Sequence, residues 1–316
     1  MLAGVGKIGR IGGAGSGSAA AGLTGFVSVW ATTAINETIT IPTQNDTFNA
    51  VVDWGDTSPL ETITTFDGFV HTYATAGDHT ISISGVFPNI YMLDNPAMAP
   101  KLKKVLNLGT VGWTNLRLAF YNCINLTEVT VGSTDTSSVT DMFGVFQVCT
   151  GLTSVDLSSL DTSSAATTRQ MFFQCTGLTS VDLSSFDTSS VTNMSSMFYN
   201  CTGLTSVDVS SFDTSIVTTM YQMFQNCNGL TSIVGVEDWA ITGLNSTNNL
   251  TNFLTTGKMT TAQYDNLLVK WQAQNVLSGL TPTFGNSTYT GGSAAATAKA
   301  TLGSADNWVI ADGGIA

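Results

Sequence analysis

The chain has 316 residues, of which only 10% are charged, with 10 Lys and Arg against 22 Asp and Glu and a formal net charge of -12. That balance disfavours nucleic acid and anionic lipid, because both are bound mainly by Lys and Arg neutralising phosphate. The length allows two or three folded units, and no run nears the roughly 18 apolar residues needed to cross a bilayer.

In chain order, residues 1–22 form a Gly/Ala/Ser-rich segment that carries Lys7, Ile8 and Arg10. No apolar run of leader type follows these cations, so a secretory signal is not expected. The segment is expected to be an assembly anchor, with Lys7, Ile8 and Arg10 meeting a partner protein.

Residues 23–95 read as a β-sandwich. Phe26-Val27-Ser28-Val29-Trp30, Thr38-Ile39-Thr40-Ile41 and Thr80-Ile81-Ser82-Ile83 alternate with period two between Gly, Asn, Asp and Pro turn signals. Within this unit, Val52-Asp53-Trp54-Gly55-Asp56-Thr57 and His71-Thr72-Tyr73-Ala74-Thr75-Ala76-Gly77 resemble the paired strings of polycystic-kidney-disease (PKD) type immunoglobulin-like domains. Val52-Asp53-Trp54 and Thr57 depart from that pattern. The resemblance implies that Asp56 and His71 brace turns.

From 96 to 255 one pattern dominates. Phe-x-x-Cys-x-x-Leu recurs five times, at Phe120/Cys123/Leu126, Phe146/Cys149/Leu152, Phe172/Cys175/Leu178, Phe198/Cys201/Leu204 and Phe224/Cys227/Leu230, each 26 residues after the last. A fixed period of this length predicts stacked coils whose inward residues form ladders of Phe, Cys, Leu and Val. Within one coil, Met194, Met197 and Phe198 have the i, i+3, i+4 spacing of a short helix, and Leu204 to Val209 reads as a short strand. Phe212 closes the coil before an Asp213-Thr214-Ser215 turn. All five cysteines share one phase of the repeat, with no Cys-x-x-Cys pair and no nearby His. They read as small buried core residues rather than as metal ligands or disulfides.

Two acidic rows should lie on the outward side, Asp156, Asp182 and Asp208 on the strands and Asp161, Asp187 and Asp213 at the following turns. They read either as a cation or ligand stripe or as a solvated face that discourages sheet aggregation. Together with Ser and Thr they make this the candidate binding face. Residues 256–316 read as a cap over the open end of the stack. Tyr264, Leu267, Leu268 and Trp271 mark an amphipathic helix, Ala294 to Leu302 a second, and Trp308-Val309-Ile310 a last strand.

His71 and His79 are the only imidazoles. With no G-x-S-x-G elbow, paired-carboxylate cleft or phosphate loop, no enzymatic activity, cofactor or metal is expected. A Ser-His-Asp arrangement is the one catalytic option these residues leave open.

The repeated string Met-Phe-x-x-Cys-x-x-Leu-Thr-Ser-Val-Asp-Leu-Ser-Ser-Phe-Asp-Thr-Ser-Ser-Val-Thr-Asn-Met resembles that of BspA-like leucine-rich-repeat surface proteins, over roughly Trp113 to Leu254. It departs at Thr168, where the inward Met is absent, and at Val234 to Trp239, where the repeat decays. The expected fold is therefore mixed α/β and β: an N-terminal β-sandwich, a leucine-rich-repeat-type solenoid of 26-residue coils, and a helical/β C-terminal cap. The resemblance implies adhesion rather than chemistry. The expected role is a phage virion surface component, a fibre or decoration protein that is homo-oligomeric and held to other virion proteins by its N-terminal segment. It would attach to a host surface glycan or protein without inserting in the membrane. The alternative is a bacterial cell-surface adhesin.

Overall fold

The computed structural model describes residues 24–44 and 46–316, so the expected anchor residues Lys7, Ile8 and Arg10 lie outside the described residues. Strand residues (22%) outnumber helical ones (11%).

The alternating runs near the N-terminus form β1 (Phe26–Thr32), β2 (Glu37–Thr40), β3 (Asn49–Asp53), β4 (Glu61–Ile63), β5 (Val70–Tyr73) and β6 (Gly77–Val86). With β7 (Leu102–Asn107) and β8 (Glu128–Val129), four of them build a six-stranded sheet in the order β4-β3-β6-β1-β7-β8, while β2 and β5 pair separately. Trp30, Ile39, Trp54, Phe69, Tyr73 and Phe87 are buried between them. The expected boundary near residue 95 falls just before β7. That strand runs antiparallel to β1 and parallel to β8, with Lys104 opposite Glu128. The N-terminal sheet therefore continues into the first strand of the repeat, and the hydrophobic core is one cluster from Phe26 to Trp308.

The repeat strands are β9 (Ser154–Asp156), β10 (Ser180–Asp182), β11 (Ser206–Asp208) and β12 (Ser232–Val234). β9 and β10 pair in parallel with Asp156 opposite Asp182, and β11 pairs in parallel with β12. A second parallel ladder joins Asp141, Thr167, Asn193 and Thr219. Inward side chains stack on their own copies: Phe120, Phe146, Phe172, Phe198 and Phe224 form a column with ring centroids 5.3–5.6 Å apart. All five cysteines and Leu126, Leu152, Leu178, Leu204 and Leu230 are buried beside it. Each thiol from Cys149 onward also donates to the carbonyl of the preceding coil's Phe, at 2.9–3.0 Å. That carbonyl already accepts the N–H of the Cys three residues on, so the thiol fills its second lone pair.

The short helix expected at Met194–Phe198 does not form. Ser196 and Asn200 have φ of 57° and 58°, outside the right-handed helical region. Alternate N–H groups leave the coil: Gln170, Phe172 and Gln174 donate to the carbonyls of Ser195, Met197 and Tyr199, each in the next coil. The N–H groups between them, of Met171, Phe173 and Cys175, donate three residues back. The apolar spacing that suggests a helix thus arises from a row of turns, because the neighbouring coil supplies acceptors that a helix would take from residue i−4.

Past the repeat, α1 (Thr261–Gln272) and α2 (Ala294–Ser304) form as expected, α1 opened by a Thr260/Gln263 capping box. The strand expected at Trp308–Ile310 does not form. Parallel bridges instead join Leu254 to Phe284 and Thr283 to Ala311, so further rungs extend the stack beneath the helices.

Thr168 stands where the buried column has Met142, Met194 and Met220, and its hydroxyl is wholly buried with no partner. Such a group costs about 1–3 kcal/mol. Thr168→Val, which replaces that hydroxyl by a methyl of similar size, is expected to raise the urea midpoint by a corresponding amount without changing the slope. An unchanged or lower midpoint would show that the hydroxyl is satisfied.

Candidate binding face

The strand face follows from the Ser-Val-Asp alternation. Val155 and Val207 turn inward and are buried, while the flanking Ser and Asp are exposed. The structure places Asp156, Asp182 and Asp208 on the strands and Asp161, Asp187 and Asp213 at the turns, all exposed. Every one of the six has a structural task. Oδ1 of Asp156, Asp182 and Asp208 accepts the N–H of Ser158, Ser184 and Ser210 at 2.9–3.0 Å. Oδ1 of Asp161, Asp187 and Asp213 accepts from Ser163, Ser189 and Ser215 in the same way. These donors favour the charged form. The backbone N–H of Ser184 holds Asp182, and the hydroxyls of Ser189 and Ser215 hold Asp187 and Asp213, below the usual carboxylate range.

In both rows one oxygen braces a turn and the other is directed to no group among the described residues. Among those residues no group of three or more His, Cys, Asp or Glu is arranged to hold a metal ion.

Between the rows runs a buried threonine ladder that sequence reading assigned simply to the turn. The hydroxyls of Thr136, Thr162 and Thr188 donate to the backbone carbonyls of Asp161, Asp187 and Asp213 in the next coil, each at 2.8 Å. Thr136 and Thr162 also accept the N–H of Asp161 and Asp187. One hydroxyl thus satisfies a donor and an acceptor of the neighbouring coil and fixes the height of each acidic turn.

The strand row changes sheet at two junctions. β8 and β9 are still joined by a Thr130–Asp156 bridge, whereas along the junction of β10 and β11 opens a cleft of about 260 Å³. One wall is the run from Val181 to Ser184, the other Asp208, Ser210 and Ser211. Val181 is only partly buried, unlike its copies Val155 and Val207. The cleft thus brings two predicted face residues, Asp182 and Asp208, together with hydroxyls and an apolar lining. Asp156 and the three turn aspartates do not line it.

In the N-terminal unit, His71 Nε2 lies 2.8 Å from Asp56 Oδ2, and the Ser58 hydroxyl donates to the other carboxylate oxygen. The serine meets the carboxylate rather than the imidazole, so these residues do not form a nucleophile–base pair. Partial burial raises the Asp56 pKa, but the Ser58 and His71 hydrogen bonds outweigh it and hold the group at about 2. The five core thiols are pushed up by burial, Cys175 and Cys227 to about 12, and are inert as nucleophiles.

His79 is 8% exposed, stacks on Tyr73 at 3.6 Å, and has Nε2 2.8 Å from the Thr32 hydroxyl. Burial lowers its pKa below 6.5, although Asp56 and Asp78 oppose this. A depressed imidazole pKa means that the unfolded chain binds the proton first. Stability present above about pH 6.5 is therefore lost as pH falls through that value towards the folded-state pKa. Urea midpoints taken from neutral to mildly acidic pH should show this loss, and His79→Gln should flatten it. An equal slope in the variant would assign the loss to other groups.

No helix among the described residues is long and apolar enough to cross a membrane. A family model described as Mycoplasma protein of unknown function, DUF285, matches residues 114–239 and 179–264, the stretch that holds most of the repeat. No curated protein matches the chain.

Proposed function

We propose that the chain is a non-enzymatic adhesive surface protein that presents its repeat face to a polar ligand, a glycan or protein of a host or neighbouring surface. The stack is read as a leucine-rich-repeat-type solenoid of BspA-like kind, and the N-terminal sheets as a PKD-like sandwich that closes its first end. The observation that carries the reading is the outward array of carboxylates and hydroxyls, held at fixed height by the threonine ladder and opened by the cleft between Asp182 and Asp208. Many small, pre-oriented polar contacts on a rigid backbone suit attachment, since little side-chain freedom is lost on binding.

The carrier is a virion surface, with residues 1–22 as the anchor and several copies acting together. A bacterial cell surface is the second reading, favoured by the similarity to a family described from Mycoplasma.

An array of immobilised glycans and extracellular-matrix proteins tests the function. The chain should bind a subset without releasing sugar or cleaving its ligand, and the paired substitutions Asp182→Asn and Asp208→Asn should weaken binding by about tenfold or more. Asn keeps the oxygen that accepts the Ser184 and Ser210 N–H groups, so thermal stability should hold. Turnover of any ligand would overturn the non-enzymatic reading, and unchanged binding by the double variant would remove the cleft from it.

A further inference from the structure

The strand face is the same in the three central coils, with Thr-Ser-Val-Asp at 153–156, 179–182 and 205–208. The outer side of the turn row is not. At the phase where Phe143 sits, the five coils carry Arg117, Phe143, Arg169, Ser195 and Tyr221. Packing imposes one residue type on the inward columns, whereas nothing in the stacking demands that these outward positions differ. Their variety individualises the coils, and it culminates at one spot.

Phe143 has a guanidinium on either side: the central carbon of Arg117 is 4.4 Å from its ring centroid and that of Arg169 is 5.4 Å away. Arg117 is also tied to Asp141 at 3.2 Å, and Asp141 in turn accepts the Phe143 N–H at 2.8 Å. Arg169 is different. Lys101, Lys103, Lys104, Arg117, Lys270 and Lys299 each reach a carboxylate. Arg169 and Lys258 form no ion pair among the described residues and are exposed, and of the two it is Arg169 that lies against an aromatic ring. In so acidic a chain a guanidinium without a carboxylate partner is conspicuous on charge grounds alone. Its guanidinium carbon lies over the Phe143 ring, and its side-chain N–H donors make no hydrogen bond among the described residues.

A planar fork held in this way matches a carboxylate, which it grips through two parallel hydrogen bonds. Ser195, at the same phase in the next coil, is buried and its hydroxyl pairs with that of Thr219 at 3.1 Å, so Arg169 supplies the fork alone. An acidic sugar on the glycan proposed above carries such a carboxylate.

We propose that Arg169, lying over Phe143, is a binding site for the carboxylate of an acidic glycan. It lies apart from the strand face and does not depend on the cleft. The cleft, walled by Asp182 and Asp208, would repel such a ligand, so the two faces should select ligands of different charge.

Titration with sialyllactose, using lactose as the neutral control, tests the proposal on the full chain. The wild type should bind sialyllactose and not lactose, more weakly as salt is raised. Arg169→Gln should weaken binding roughly tenfold or more, and Arg169→Lys should restore only part, because a point charge lacks the fork. Asp182→Asn with Asp208→Asn should bind no more weakly than the wild type, which separates this site from the cleft. If Arg169→Gln fails to fold, Phe143→Leu carries the same test by releasing the guanidinium. Equal affinity for sialyllactose and lactose, or wild-type affinity in Arg169→Gln or Phe143→Leu, would overturn the proposal.

Discussion

Everything in the repeat depends on one hydrogen-bond pattern, in which alternate N–H groups of the turn row donate to the coil that follows. Gln170 to Ser195, Phe172 to Met197 and Gln174 to Tyr199 are all 25 residues apart and 2.7–3.0 Å long. Because donors and acceptors must meet at each step, a slip of this row would leave buried backbone groups unpaired, at a cost of about 1–3 kcal/mol each. A longer coil keeps the row intact, since Met220, Gln222 and Phe224 donate in the same way to Asn249, Thr251 and Phe253, 29 residues on. The superposed Phe rings and the Cys and Thr hydrogen bonds follow from keeping that register. So does the backbone conformation. Val148, a β-branched residue, is held at a φ of 64°, a region that such residues avoid, because its N–H reaches Phe173 only in that pose. Close approach explains Gly177 in the same way: a Cβ there would lie 2.5 Å from the Thr150 carbonyl oxygen.

The sequence made the columns legible because a period imposed by stacking repeats every inward residue. Phe120 through Phe224 and the five cysteines could be placed without coordinates, as could β9, β10 and β11 from the Ser-Val-Asp alternation. What stayed hidden were the partners across coils. Met194, Met197 and Phe198 have helical spacing, yet the acceptors that shape their segment belong to residues near 220. A single coil, read alone, gives no sign of them. Thr162 looked like a turn residue for the same reason, since its hydroxyl is spent on the Asp187 backbone of the next coil. The turn-bracing task of the aspartates was also unseen, although an Asp two residues before a Ser is the local signal for it.

The ends of the stack follow from the same constraint. Coils that each donate to the next leave the last coil with unfilled donors and the first with unfilled acceptors, and an apolar interior open to water at both ends. At the first end β7 resolves this by pairing with β1 on one side and β8 on the other, so the N-terminal sheet and the strand row are one hydrogen-bonded surface. At the other end the Phe column turns. Phe224 meets Phe253 edge-on at 82° rather than stacked, and Phe253 meets Trp271 of α1 at 68°. Edge-to-face packing lets rings from differently oriented elements share one core, which ends the column without leaving its last face bare.

Repetition also limits what such a surface can recognise. Where every rung is alike, a ligand bound at one is bound as well at the next, so affinity accumulates by area and not by position. Position enters only where the repeat breaks. Two breaks lie within a coil of each other: the seam between β10 and β11, and the turn at Thr168 and Arg169, where an inward Met becomes Thr and an outward guanidinium meets Phe143. The second break was visible in the sequence as a departure from the repeat. The first was not, because the strands on both sides of the seam have the same residues, Thr-Ser-Val-Asp. Strands of one sequence that pair at one junction, β9 with β10, and part at the next, β10 from β11, must be separated by the stack as a whole. The strand face therefore owes its cleft to the geometry of many coils, whereas the arginine site owes its place to a few residues of one.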